Sequence, residues 1–343
     1  MPSAFTIRAP DGYHLPRDAC SYGYFLLAPN HWDVQRQSLR RTFDLAGTPV
    51  TVEIAQPRAA ENLRVTPDRT LGARHRATVE PLIRRMLSLD EPADAIAEFH
   101  RLDPRWKAAG RGRLMRSPTM FEDVIKTVTS CNVTWPSTVV MNRRLCEVLG
   151  AGGLAFPTPR ALADTRPQTL RARCRVGYRD QRIIDLARLF TSGQIDPYWF
   201  EDPATPDDAV RDALLDLPGI GPYAAANIMQ LLGRYAHLPL DTESLRHARS
   251  VLKFKGEPPA LMKRLHRHYA PFGPHRFRSY WLELWDFYES RHGPAHTWER
   301  DSTGSLFTAA HLADAPRPRG TKKKRGPVAG PAPKVRVKSK ARA

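Results

Sequence analysis

Residues 214–249 read LLDLPGIGPYAAANIMQLLGRYAHLPLDTESLRHAR, and this stretch decides the fold. In Leu217-Pro218-Gly219-Ile220-Gly221 two glycines flank one apolar residue, a pattern that predicts a tight turn with positive φ at both glycines. A helix is expected from about Tyr223 to Leu232, with Ala224, Ala225, Ile228, Leu231 and Leu232 on its packing face and Gly233 as its stop. Free N–H groups of the turn and the positive end of that helix would point the same way, making a site for one phosphate that carries no base information. Asp241 follows Gly221 by twenty residues and opens a second helix, Asp241-Thr242-Glu243-Ser244-Leu245-Arg246. Taken alone, Asp241 reads as an N-cap.

Together, a Leu-Pro-Gly-Ile-Gly hairpin and an Asp at this distance resemble the helix-hairpin-helix DNA glycosylases, of the 3-methyladenine and 8-oxoguanine kinds. Three further segments extend the resemblance over roughly residues 90 to 292. Phe121-Glu122-Asp123-Val124-Ile125 through Ser130-Cys131-Asn132 to Leu145-Cys146 looks like the first core helices. Gly177-Tyr178-Arg179 with Arg182 looks like the helix-turn element before the hairpin, and Tyr269-Ala270-Pro271-Phe272 with Tyr280-Trp281 looks like the closing helix.

The resemblance implies that Leu217, Pro218, Gly219, Ile220, Gly221 and Tyr223 grip the backbone of duplex DNA containing a damaged base, and that Asp241 is catalytic. A buried base must be flipped out before its glycosidic bond can be cut, and its departure leaves positive charge on the sugar for a carboxylate to stabilise. Bifunctional relatives carry a lysine where this chain has Tyr223, and a phenol cannot form an imine. A monofunctional glycosylase acting on an alkylated base is therefore expected, with 8-oxoguanine removal and a catalytically silent DNA-binding protein as alternatives. Asn132 falls where the 8-oxoguanine glycosylases place an Asn that fills the hole left by the base; otherwise it ends a helix. Tyr280, Trp281, Leu284, Trp285 and Tyr288 have helical spacing, so Trp281 and Trp285, with Tyr223, either wall a base pocket or pack in the core. Arg246 is a candidate phosphate contact, and His247 has no evident partner.

The chain has 343 residues and a formal charge of +18. From Ala315 to Ala343 there are eleven Lys or Arg and no acid, so +18 less these eleven leaves +7 on residues 1–314. That tail, rich in Pro, Gly, Ala and Lys, cannot bury enough apolar surface to offset its ordering entropy, and it reads as a disordered tether to DNA. Cys20, Cys131, Cys146 and Cys174 lie far apart and precede the hairpin, so the four-cysteine loop that holds an iron–sulfur cluster in some relatives is missing. No cofactor and no metal are expected. Without a signal sequence or an apolar run of membrane length, the chain reads as an intracellular protein, cytoplasmic and nucleoid-associated or nuclear, acting as a monomer with no membrane partner.

Val50, Val52 and Ile54 alternate with Thr51 and Glu53 across the turn signal Ala46-Gly47-Thr48-Pro49 from Phe43 and Leu45. The pattern turns helical near residue 78, where Val79, Leu82, Ile83, Met86 and Leu87 form a stripe. The fold class expected is mainly α: a small N-terminal antiparallel β-rich domain (1–77), an all-helical glycosylase core (78–300) and a disordered basic tail (301–343).

Overall fold

The computed structural model describes residues 3–57 and 62–300. The basic tail expected to be disordered lies outside these. Strands β1 (Phe5–Arg8), β2 (Asn30–Asp33), β3 (Ser38–Leu45), β4 (Thr48–Ala55) and β5 (Asn62–Pro67) form one antiparallel sheet in the order β1-β5-β4-β3-β2. The β3–β4 register pairs Phe43 with Val50 and Leu45 with Thr48. Ala46 (φ 54°) and Gly47 (φ 85°) make the two-residue turn, both central residues having the positive φ that a type I′ hairpin needs. Val50, Val52 and Ile54 are all buried, so one face of β4 is core, as the alternation predicts.

Fourteen α-helices occur among the described residues: α1 (Leu15–Ala19), α2 (Ala73–Met86), α3 (Ala93–Leu102), α4 (Met120–Ser130), α5 (Trp135–Leu149), α6 (Pro159–Ala163) and α7 (Pro167–Ala172), followed by α8 (Asp180–Thr191), α9 (Pro197–Glu201), α10 (Asp207–Leu215), α11 (Pro222–Leu231), α12 (Thr242–Ser250), α13 (Pro258–Tyr269) and α14 (Arg276–His292). None of the described helices is long and apolar enough to cross a membrane.

The apolar core does not divide at residue 77. The sheet shares one core with α2, α3, α13 and α14, through residues such as Ile54, Val65, Ile83, Phe99, Leu265 and Trp285. A second core is built by α4 to α11, through Val124, Leu145, Ile183, Leu214 and Ile228. The physical reason is the one-sided burial of the sheet: its apolar face needs a covering layer, and helices from both ends of the helical segment supply it.

Buried ion pairs join the two cores. Arg41 of β3 donates to Glu122 of α4 (Nη2 to Oε2, 2.6 Å), and Lys126 Nζ lies 2.7 Å from Glu122 Oε1. Arg85 of α2 likewise binds Asp123 of α4 at 2.8 Å and Glu201 of α9 at 2.6 Å. These contacts set the position of α4, whose last turn leads to Cys131 and Asn132.

Candidate active site

The α10–α11 connection is the hairpin read from the sequence, with one correction. Gly219 has φ +76°, but Gly221 has φ −99° and ψ −179°, extended backbone that any residue adopts. Gly221 serves as N-cap of α11, and a Cβ built there meets no atom within 4 Å, so its missing side chain leaves open space on the surface. At Gly219 the added Cβ would stand 2.5 Å from Arg182 Cδ. Ile220 is buried in the second core and fastens the turn from beneath. Among the described residues the amides of Gly219, Gly221, Tyr223 and Ala224 find no acceptor, the first-turn donors that a helix leaves over. Beyond α11, Gly233 takes φ 85° and stops the helix, as the sequence predicts.

Asp241 is the N-cap of α12. Its Oδ1 accepts from the amides of Glu243 and Ser244, both at 3.0 Å, and Ser244 Oγ accepts in return from the Asp241 amide at 3.0 Å. This reciprocal capping box leaves Oδ2 without a hydrogen bond among the described residues. The capping and catalytic readings are therefore compatible: one oxygen fixes the residue and the other faces open space. Burial raises the Asp241 carboxyl above its ordinary value, and the Glu243 charge adds to the shift, while the cap bonds oppose it.

Two cavities meet at this carboxylate. The first is a cleft of about 290 Å³ walled by aromatic rings, near the lower end of the ~300–1,000 Å³ typical of small-molecule sites. Tyr22 and Tyr24 come from the segment after α1, Trp135 from α5, Tyr223 and Asn227 from α11, Asp241 and Glu243 from the start of α12, and Trp281, Trp285 and Tyr288 from α14. The second is a groove of about 580 Å³ along the hairpin, lined by Asn132, Tyr178, Arg179, Arg182, Gly219, Gly221 and Tyr223. Asp241, Thr242 and Tyr223 border both.

Trp281 and Trp285 combine the two roles that the spacing left open. Trp285 is 3% exposed and donates its indole N–H to Cys20 O, yet one part of it lines the cleft. Trp281 donates to Ser21 O at 2.8 Å and stacks between Phe277 (5.9 Å, 8°) and Trp285 (5.2 Å, 27°), with Tyr22 at 4.6 Å. Tyr223 is half-buried, and burial first, then the Asp241 charge, holds its hydroxyl well above the usual phenol range, so it stays neutral.

Asn132 sits in the short α4–α5 connection with φ +54°, a conformation Asn tolerates better than most residues. It is exposed along the groove, and its amide has no partner among the described residues. Arg179 bonds the carbonyls of Val128 and Cys131 and so holds the preceding turn.

Arg246 does not reach the groove. Its guanidinium bonds Glu243 and lies over the rings of Phe287 (4.3 Å) and Tyr288 (5.4 Å), with only 10% of the side chain exposed. An acid three residues earlier on the same helix and two aromatic rings hold it more closely than a solvated phosphate would. His247 acquires partners that the sequence did not reveal: Nε2 lies 2.8 Å from Glu283 Oε1 and 3.1 Å from Tyr269 Oη, tying α12 to α13 and α14. Sequence reasoning missed Tyr22, Asn227 and Glu243 as cleft residues. Tyr22 lies about two hundred residues from α11 in the chain and carries no motif, whereas Glu243 could have been read from its place in the first turn after Asp241. Among the described residues no cluster of three or more His, Cys, Asp or Glu could hold a metal ion.

No family model matches the chain, and no curated protein matches it by sequence. Solved structures do. MBOgg1 in complex with a low-affinity DNA ligand superposes with a TM-score of 0.62 at 16% identity, over 84% of this chain and 97% of that one. The apo form of Clostridium acetobutylicum 8-oxoguanine glycosylase/lyase gives 0.61 at 16%, over 83% and 97%. The 3-methyladenine DNA-glycosylase from Archaeoglobus fulgidus gives 0.60 at 20%, over 84% and 99%. The chain thus has the fold of the 8-oxoguanine and 3-methyladenine DNA glycosylases along almost their whole length.

Proposed function

We propose that the protein is a monofunctional DNA glycosylase that removes a damaged, alkylated base from duplex DNA. The observation that carries this reading is the position of Asp241, half-buried where an aromatic cleft of base size meets a groove along a hairpin with free backbone amides. A nucleotide whose phosphate rests on the free amides at Gly219 to Ala224 can send its base into the cleft, leaving its sugar beside the carboxylate.

Breaking the C1′–N bond sends the bonding pair to the departing base and leaves positive charge at C1′. The free Oδ2 of Asp241 stabilises that charge and orients a water whose oxygen bonds C1′ while its proton passes to that carboxylate. An alkylated purine suits the site on two counts. It is an electron-poor leaving group, and its positive charge is attracted by the Asp241 and Glu243 carboxylates that border the cleft. Tyr223 cannot form the imine of a lyase mechanism. Removal of 8-oxoguanine is the second reading, favoured by the uncommitted amide of Asn132 in the groove.

The test is incubation with a panel of duplexes, each holding one lesion, scoring base release separately from strand breakage and adding borohydride. Release of an alkylated base, strand breaks only after alkali and no trapped adduct are expected. A trapped protein–DNA adduct formed at the wild-type rate of excision refutes the monofunctional assignment.

A further inference from the structure

On the other side of α11 from the aromatic cleft lies a separate pocket of about 250 Å³. It is bordered by Arg211 of α10, Pro222 of α11, His237 of the following segment, His266 of α13 and Arg276 of α14. Its charges are not balanced internally. Arg211 is taken by Asp208 (2.8 Å) and Asp212 (2.9 Å), and the nearby Asp207 is taken by Arg234 at 2.6 Å. The side chains of His237, His266 and Arg276 have no hydrogen-bond or ionic partner among the described residues, and the Nε of Arg276 is buried without an acceptor. The buried guanidinium N–H of Arg276 without a partner is costly, and half-buried His237 and exposed His266 bring two imidazoles to the same cavity from two further elements. An anion with several acceptor oxygens would satisfy them together.

Pro222 borders both this pocket and the hairpin groove. The basic cavity therefore adjoins the hairpin groove, next to a strand whose phosphate would rest on the hairpin amides. We propose that the pocket binds a phosphate group, namely that of the strand next to the one held at the hairpin. The DNA half of this proposal rests on the reading that the hairpin grips DNA; the phosphate half does not.

The pocket's histidines provide a readout. Burial, then Arg211, and also Arg276, hold His237 below its ordinary value, with Asp207 and Asp208 acting in the other direction. His266 is exposed at the rim of the pocket, where the partial burial of its ring and then the Arg276 charge lower it too. A phosphate in the pocket opposes both effects, so binding draws protons onto the imidazoles and strengthens as pH falls.

The experiment uses the full chain at pH 6 and has two arms. In the first, inorganic phosphate is titrated against chloride at equal ionic strength while the imidazole C2–H resonances are followed, with His237→Gln and His266→Gln providing the assignments. Phosphate-specific shifts of both resonances are expected, and their absence overturns the pocket. In the second, the salt dependence of binding to undamaged duplex is measured for wild type and Arg276→Gln. Loss of one phosphate contact lowers the slope of log K against log salt by about 0.9. Shifts with inorganic phosphate and an unchanged slope overturn the DNA half and leave a site for free phosphate. Should Arg276→Gln fail to fold, His266→Gln carries the slope measurement. A wild-type protein that releases no base fails the glycosylase reading while both arms remain readable.

Discussion

Replacing Asp241 by Asn separates its two roles. The Asn carbonyl can still accept from the amides of Glu243 and Ser244, each 3.0 Å from Oδ1, and Asn caps helices about as well as Asp. The lost charge at the start of α12 costs about 0.3–1 kcal/mol. An opposing effect comes from burial, which raises the carboxyl above its ordinary value of 3.8. For an acid with a raised folded pKa, ionisation weakens the fold as pH rises through that value, so removing the carboxylate relieves a cost at neutral pH. The two effects roughly offset, and the melting temperature should move by only a few degrees. Excision should fall by at least ~10²-fold, about 2.7 kcal/mol of transition-state stabilisation. Since the working form is the carboxylate, wild-type excision should also decline as pH falls through the raised pKa, giving an acid limb centred above 3.8. The measurement is single-turnover base release across pH, beside thermal unfolding. Asp241→Ala is the control for the cap, losing about 1 kcal/mol of stability as well as activity. If Asp241→Asn releases the best lesion within threefold of wild type, the residue is only a cap and the catalytic assignment is wrong.

The hairpin glycines should respond differently. Gly219→Ala, at φ +76°, is expected to lose about 1–2 kcal/mol in urea titrations even after Arg182 swings aside, whereas Gly221→Ala, extended and open, should leave stability within about 0.5 kcal/mol but weaken DNA binding. Equal stability losses at both would refute the hairpin geometry. Glu122→Gln should destabilise by about 3–5 kcal/mol, since it leaves Arg41 and Lys126 buried without their counter-charge. Burial alone would raise the Glu122 carboxyl, but Arg41 and Lys126 outweigh it and hold it low, so its contribution is present above the unfolded value and lost as pH falls through the folded one. Denaturant midpoints from pH 7 down to pH 3 check this, and a variant with wild-type midpoints throughout contradicts it. Deleting residues 315–343 should flatten the salt dependence of binding to undamaged DNA and leave single-turnover excision nearly unchanged; an unaltered slope means that the tail does not touch DNA in the complex.

Local signals were enough for the parts of this protein whose physics is local. The β3–β4 turn lies within the signal Ala46-Gly47-Thr48-Pro49, although only Ala46 and Gly47 form it and Thr48 and Pro49 already belong to β4. The hairpin, the stop at Gly233 and the start of α12 at Asp241 could be read because turns and caps depend on residues within one helical turn of each other. The resemblance carried by four short segments led correctly to the glycosylase fold, because those segments mark the hairpin and the helices around it.

What needed the tertiary structure was whatever depends on neighbours far apart in the chain. Positive φ at Gly221 was a wrong inference from composition, for a glycine can also be chosen to keep a surface clear. Arg246 looked free until Glu243, Phe287 and Tyr288 were seen around it, and the core boundary moved because α13 and α14 return to cover the sheet. Tyr22 carries no signal in its own segment, yet it meets Trp281 across some 260 residues of chain. Periodicity tells which face of an element is buried; it does not tell which partner buries it, and in this fold the choice of partner forms the cleft beside Asp241.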